Sequence, residues 1–255
     1  GTMKGIRTGR LSSNDPNLQN IPAIKKGEQY GAQLRSLFIP RQGKVFVDAD
    51  YSQIEYRLLA HFSQEPILLS GFRAGLDIHE TTGKLLGCTR TVGKTLNFAA
   101  IYGAQAEKIA ATASISVVQA QQFLQSYWAK LPSVNQWINS TKLVAKGQRG
   151  VKTMAGRWIP LDDLGSKNKW KRMHAERAAI NYIIQGSAAD IIKVAMLECK
   201  KQGYMPIIQV HDELIFEVDP LTAEQDLVKI KNIMETVVPL SIPIVVDAHI
   251  GKNWA

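Results

Sequence analysis

Lys44-Val-Phe-Val-Asp-Ala-Asp50-Tyr-Ser-Gln-Ile-Glu55-Tyr-Arg57 is the stretch on which the fold turns. Its β-branched and apolar opening reads as a strand that ends in acidic residues and passes into a helix. A second stretch, Pro206-Ile-Ile-Gln-Val-His211-Asp212-Glu213-Leu-Ile-Phe-Glu-Val218, reads as two short apolar strands around an acidic turn. Both deliver carboxylates to a strand end, and both belong to a mixed α+β body rather than to a helical bundle. Magnesium held by one or two carboxylates plus substrate phosphates is the usual arrangement for phosphoryl transfer. Taken singly, either acidic turn reads equally well as a solvated loop.

Between these stretches runs Arg90-Thr-Val-Gly-Lys94-Thr-Leu-Asn-Phe98-Ala-Ala-Ile-Tyr102-Gly103. Residues four apart on a helix lie nearly above one another. Arg90, Lys94, Phe98 and Tyr102 therefore form one stripe, cationic in its first two turns and aromatic in the next two. Such a stripe suits a nucleoside triphosphate, with cations for the phosphates and flat faces for bases. An amphipathic helix with a basic surface end accounts for the spacing alone. A second spacing of four, Arg177, Asn181 and Gln185, makes a polar stripe opposite Ile180, Ile183, Ile184, Ala188 and Ile191.

With three such segments in order, the chain resembles the DNA polymerase I (family A) DNA polymerases, matching that family's motifs A, B and C. Thr8-Gly-Arg10-Leu-Ser-Ser-Asn-Asp-Pro-Asn-Leu-Gln-Asn-Ile-Pro22 matches another family signature, and the likeness continues through Asp77-Ile-His79, Gln185-Gly-Ser-Ala-Ala-Asp190 and Ile250-Gly-Lys-Asn-Trp254. Several long motifs in the right order are a far more specific signal than one short pattern.

The resemblance implies an α+β fold: a palm with an antiparallel sheet, residues 1–63 and 177–255, and a mostly helical fingers insert, residues 64–176. In that insert Val117 to Tyr127 and Val134 to Lys146 have helical composition with Pro132 as a break, and Gly147 to Asn168 is a polar connection. Ile242-Pro-Ile-Val-Val-Asp-Ala-His249 reads as the terminal strand. The chain starts just before the Thr8-Gly-Arg10 signature, so the family's thumb is expected upstream and absent here.

The resemblance also implies roles. Asp50 and Asp212, with the backbone of Tyr51, would bind two divalent ions, Mg²⁺ or alternatively Mn²⁺, and Glu213 would support them or stand as an exposed turn residue. Arg90, Lys94 and His79 would meet the triphosphate, with Lys94 counted among the catalytic groups. Phe98 would pack on the incoming nucleotide and Tyr102 near the templating base. Glu55 would close the space of a ribose 2′-hydroxyl, and Gln53 would be a further nucleotide-binding residue. Arg10, Arg177, Asn181, Gln185, Gln209 and His211 would contact primer-template DNA. Hydrogen bonds to minor-groove acceptors common to every correct pair check geometry without sequence preference.

Composition agrees. The 255 residues are 45% hydrophobic, enough for a sizeable core, and a net charge of +9 favours a polyanionic partner. Two cysteines imply no disulfide framework and a reducing compartment, and Gly1-Thr-Met3-Lys-Gly-Ile-Arg7 has no apolar signal core. The expectation is an intracellular monomer of cytoplasm or nucleoid, with an organelle left open and no membrane partner. Lys167-Asn-Lys-Trp-Lys-Arg172 is either a solvated basic loop or a phosphate contact.

Departures from the family are specific. Only 14 residues separate His79 from Lys94, Ala99 stands where glycine is usual, and Tyr56 where leucine is. Asp48 shares the strand face of Asp50 and either crowds the metals or points past the sheet edge. The leading expectation is primer extension with deoxynucleotides. A noncatalytic nucleic-acid-binding remnant, a two-metal nuclease and copying of an RNA template are the alternatives.

Overall fold

The computed structural model describes residues 6–22 and 29–255; the first five residues, part of the stretch read as lacking a signal core, lie outside them. In chain order the elements are α1 (Gln29–Ser36), β1 (Val45–Tyr51), α2 (Ile54–Ser63), α3 (Pro66–Arg73), α4 (Ile78–Leu86), α5 (Arg90–Tyr102), α6 (Ala106–Ala113), α7 (Val117–Lys130), α8 (Pro132–Gln148), β2 (Gly150–Lys152), β3 (Trp158–Pro160), α9 (Lys169–Lys201), β4 (Pro206–Val210), β5 (Glu213–Val218), α10 (Ala223–Thr236) and β6 (Val246–Gly251). They fall into two units. Unit 1 takes the described residues up to Ile54 with 188–239 and 244–255; unit 2 takes 55–187 and 240–243. The α+β expectation holds.

Unit 1 is built on a four-stranded sheet in the order β4-β5-β1-β6, antiparallel at every pairing. Alternation along β1 sends Val47, Ala49 and Tyr51 to one face and Phe46, Asp48 and Asp50 to the other. The first face is apolar and buried with Leu214, Phe216 and Val246. Helix α10 packs against it, and Tyr51 Oη donates to Met234 O at 2.9 Å. On the second face Phe46 joins Val210, Ile215 and Trp254 in a small core. The same period of two therefore buries one side of β1 and aligns its carboxylates on the other.

Unit 2 is helical, with a two-stranded β2-β3 hairpin. Caps begin its helices: the Asp77 side chain accepts from His79 N and Glu80 N, Thr89 accepts from Val92 N, and Ser116 with Gln119 forms a capping box at α7. Gly93 lets α4 and α5 meet backbone to backbone, since a Cβ there would lie 2.4 Å from His79 O. Apart from Arg90 and Tyr102 at its ends, α5 buries Val92, Gly93, Leu96, Asn97, Ala99, Ala100 and Ile101.

The structure refines the sequence reading in three segments, the first of which keeps Pro132 as the break between two helices. Pro132 occupies the first turn of α8, where an N–H is not needed, and so starts that helix immediately after α7 ends. The connection from Gly147 to Asn168 contains β2 and β3, three residues each, with Gly150 lying under the Trp158 ring. The terminal strand runs from Val246 to Gly251 rather than from Ile242, because Pro243 offers no amide and its carbonyl accepts from Arg57 Nη1 at 2.7 Å. Among the described residues no helix is long and apolar enough to cross a membrane.

Candidate active site

In unit 1 a cavity of about 390 Å³ opens on the carboxylate face of the sheet, lined by Arg35, Asp48, Asp50, His211, Asp212, Glu213, Asp247, His249 and Trp254 among others. Strand register explains the crowding. Asp50 is paired with Glu213 on β5 and with Asp247 on β6, so its two cross-strand neighbours are both carboxylates. Asp212 stands in the β4–β5 turn, and its carbonyl accepts from Tyr51 N at 3.2 Å. Like charges directly opposite are unfavourable, and they raise the affinity of the site for protons or cations. Burial, then the charges of Asp212, Glu213 and Asp247, push the Asp50 carboxyl up to about 7. Solvent still reaches Asp50 at the strand end.

Glu213 is no exposed turn residue. Its side chain is 12% exposed, accepts from Arg35 Nη1 at 3.1 and 3.3 Å, and accepts from Trp254 Nε1 at 2.6 Å. The Arg35 guanidinium lies 4.3 Å from the centre of the Trp254 ring. Asp48 turns into the same cavity, and burial with its hydrogen bond to Glu213 pushes its carboxyl up to about 8. Arg35, Asp247 and His249 are cavity residues that the sequence reading did not assign. The alternation of Asp247 and His249 along the last strand is the signal that would have found the latter two.

His211 takes φ 53° in the two-residue turn that also holds Asp212. Left-handed backbone is uncommon for a residue with a Cβ. Gln209 donates to His211 O at 2.6 Å and accepts from Gln19 at 3.1 Å. Arg10 is half-buried in the same unit, and Gln53 also has positive φ, 54°, with its buried Oε1 unpartnered. Among the described residues no three His, Cys, Asp or Glu side chains alone converge on a metal position.

Unit 2 carries the stripe of α5. Arg90, Lys94, Phe98 and Tyr102 are all exposed on one face of the helix. Phe98 and Tyr102 stack at 6.1 Å and 22°, and Lys94 Nζ lies 5.9 Å from the Phe98 ring centre. Lys94, Phe98 and Tyr102 line one side of a mostly apolar cavity of about 450 Å³. Arg90 Nε donates to Asp77 Oδ2 at 2.8 Å, so the carboxylate that caps α4 also steadies this guanidinium. His79 lies 6.0 Å from Phe98 between ring centres and is 6% exposed.

The two stripes meet inside unit 2. Tyr102 Oη donates to Glu55 Oε2 at 2.6 Å, and Gln185 Nε2 reaches Tyr102 Oη at 3.4 Å. A Cβ on Gly103 would fall 2.7 Å from Arg177 Cδ, so that glycine lets Arg177 cross the end of α5. Asn181 lies half-buried between Arg177 and Gln185 on α9. In the basic run Arg172 is occupied by Ser166 O and Lys167 O, while Lys167, Lys169 and Lys171 stay exposed.

Comparison with known proteins places this geometry in a lineage. The model of DNA polymerase family A matches residues 2–255. DNA polymerase I of Synechocystis sp. is 39% identical over 97% of this chain and 28% of its own length, and DNA polymerase I of Caldicellulosiruptor bescii is 40% identical over 98% and 31%. The chain thus spans about a third or less of the curated relatives it matches. Among solved structures, the POL domain of Pol1 from M. smegmatis, in complex with DNA primer-template and dNTP, superposes with a TM-score of 0.90 at 34% identity, over 98% of this chain and 46% of that one. With a family model covering nearly every residue and relatives matched across the same span, the chain belongs to DNA polymerase family A.

Proposed function

We propose that this chain is the catalytic part of a template-directed DNA polymerase that adds deoxynucleotides to a primer 3′ end by divalent-metal phosphoryl transfer. Residues 1–63 and 177–255 form the palm in this reading and 64–176 the fingers, whereas the compact units divide after Ile54 and before Ala188, which puts most of α2 and residues 177–187 of α9 with the helical unit. The observation that carries it is the cavity where Asp50 and Asp212 end the central strand and its neighbouring turn with raised proton affinity at Asp50.

The donor set fits magnesium. Its carboxylate oxygens are hard ligands, and one or two carboxylates suit an ion that keeps waters and takes substrate phosphates. Asp50, Asp212 and the Tyr51 carbonyl would hold two such ions, which supply activation of the primer hydroxyl and charge stabilisation on the transferred phosphoryl group. Glu213, fixed by Arg35 and Trp254, supports the carboxylate face. On unit 2, Arg90, Lys94 and His79 bind the triphosphate, Phe98 packs on the nucleotide, and Tyr102 faces the template. Glu55, held by Tyr102, closes the sugar pocket, and Gln53 on unit 1 is a further nucleotide contact. Arg10, Gln209 and His211 on one unit, and Arg177, Asn181 and Gln185 on the other, contact the primer-template. The partners are primer-template DNA and deoxynucleoside triphosphates, acting on a monomer inside the cell.

Primer extension with Mg²⁺ on DNA and RNA templates tests the reading. Extension on DNA that stops on chelation is expected; binding without extension would mark a noncatalytic remnant, and primer degradation a nuclease. Lys94→Ala is expected to lower kcat/KM for nucleotide about 50-fold, the scale of a charge-assisted phosphate contact. Primer-template affinity should change little, and equal losses in both would make Lys94 a duplex contact. Glu55→Ala is expected to raise ribonucleotide use relative to deoxynucleotide use by about tenfold. Steady-state incorporation of the two sugars measures it, and an unchanged ratio removes Glu55 from the sugar pocket.

A further inference from the structure

Behind the exposed stripe of α5 lies a line of buried polar side chains, all within unit 2. Asn97 is 1% exposed, with His79, Tyr56, Thr82 and Tyr127 buried around it. Tyr56 Oη stands 2.6 Å from Asn97 Oδ1, and the other end of the amide, Nδ2, stands 2.9 Å from His79 Nδ1. The first distance is short for N–H···O and ordinary for O–H···O, so the amide turns its oxygen to Tyr56 and its NH₂ to His79. An amide NH₂ only donates. His79 Nδ1 therefore accepts, and the neutral ring carries its proton on Nε2.

Two further hydroxyls fix the direction of this chain. Tyr127 Oη lies 3.0 Å from Tyr56 Oη and donates to it, since Tyr56 commits its own proton to Asn97. Thr82 Oγ1 shares its one proton between Ile78 O at 2.8 Å and the Asn97 oxygen at 3.1 Å, so it too presents a donor to that oxygen. The surroundings keep His79 neutral. Burial lowers its proton affinity; Lys94 and Arg90 lower it further against an opposing pull from Asp77. Glu65, the remaining charge acting on the hydroxyl pair, accepts from Ser133 N at 2.9 Å.

We propose that Tyr56 and Asn97 are positioning residues for the nucleotide. Tyr56 orients the Asn97 amide, and Asn97 locks His79 as the Nε2–H tautomer, so that the triphosphate meets a neutral hydrogen-bond donor there and cations only at Arg90 and Lys94. This rests on the reading of His79 as a triphosphate contact. A donor that takes up no proton on binding keeps nucleotide affinity level through neutral pH, whereas an imidazole titrating in that range makes affinity follow pH.

The test uses ¹⁵N NMR of the histidine rings in the full chain, with His79 assigned by loss of its signals in His79→Gln, alongside steady-state kinetics of Tyr56→Phe and Tyr127→Phe. Both phenylalanine variants lose one buried hydroxyl and are expected to lower Tm comparably. Only Tyr56→Phe removes the shorter of the two donors to the Asn97 oxygen, leaving Thr82 alone there. Expected are an Nε2–H ring in the unaltered chain and in Tyr127→Phe, mixed tautomers in Tyr56→Phe, and a nucleotide KM raised about fivefold in that variant alone at nearly constant kcat, the scale of one hydrogen bond. An Nδ1–H ring in the unaltered chain overturns the proposal. So do equal KM changes in the two variants, which destabilisation alone would give. Mixed tautomers in Tyr56→Phe with unchanged KM leave the tautomer lock standing and overturn its service to the nucleotide. The NMR arm needs no turnover, so a chain that fails to extend primers would sink the polymerase reading and still decide the lock.

Discussion

Asp50→Asn and Asp212→Asn are each expected to lower primer extension by about 10⁴-fold while leaving primer-template affinity within about twofold, because the proposed function assigns these side chains to the metals and the transition state rather than to the duplex. Extension at near the original rate would remove them from the chemistry. Asp50 also predicts a pH dependence. Its carboxyl rises from the usual 3.8 to about 7 on folding, through burial first and the neighbouring carboxylates second. The folded chain then holds this proton more tightly than the unfolded chain does. Stability from this group is full below about pH 4 and is lost as pH rises to about 7. Thermal melts of the metal-free chain should fall over that window, and less so in Asp50→Asn. Mg²⁺ should restore Tm at pH 8 in the unaltered chain more than in the variant. Parallel melts with and without the substitution would dismiss the raised proton affinity assigned to Asp50.

Trp254→Ala should cost about 4 kcal/mol of stability, the middle of the range for truncating a buried aromatic. The indole is 2% exposed, meets Phe38 edge-on at 5.3 Å, and lies under the Arg35 guanidinium. Its Nε1 is one of the donors that hold Glu213. Truncation therefore opens a cavity and loosens a carboxylate together. Trp254→Phe keeps most of the ring and loses the donor, so about 1–2 kcal/mol is expected, with activity reduced beyond what the residual folded fraction explains. Urea denaturation with extension assays at matched folded fraction separates the two effects. A Trp254→Ala chain as stable as the original would contradict this packing account.

The elements that were legible in the sequence are those with a long or punctuated pattern. The passage from Val45 into α2, the hairpin around His211-Asp212, and the four-residue spacing of α5 each carry a period that one chain segment displays by itself. The β2–β3 hairpin does not, because three-residue strands show no period. The bonds around Glu213 join residues 35, 48, 213 and 254, and those around His79 join residues 56, 79, 97 and 127. Tertiary folding alone brings such residues together. Asp48 and Tyr56 stood out beforehand as departures from the family pattern, but what each touches could be learned only from the folded chain.

The left-handed backbone at His211 sets two kinds of selection against each other. Glycine at that position adopts φ 53° with little strain, so a library screened only for surviving heat should enrich His211→Gly. The imidazole would then vanish from the cavity rim beside Asp212. With His211 contacting primer-template as proposed, a lineage filtered for copying fidelity should instead hold the histidine and tolerate the left-handed turn. Sequencing the survivors of both screens would reveal, at this one codon, whether durability or accuracy had governed the population.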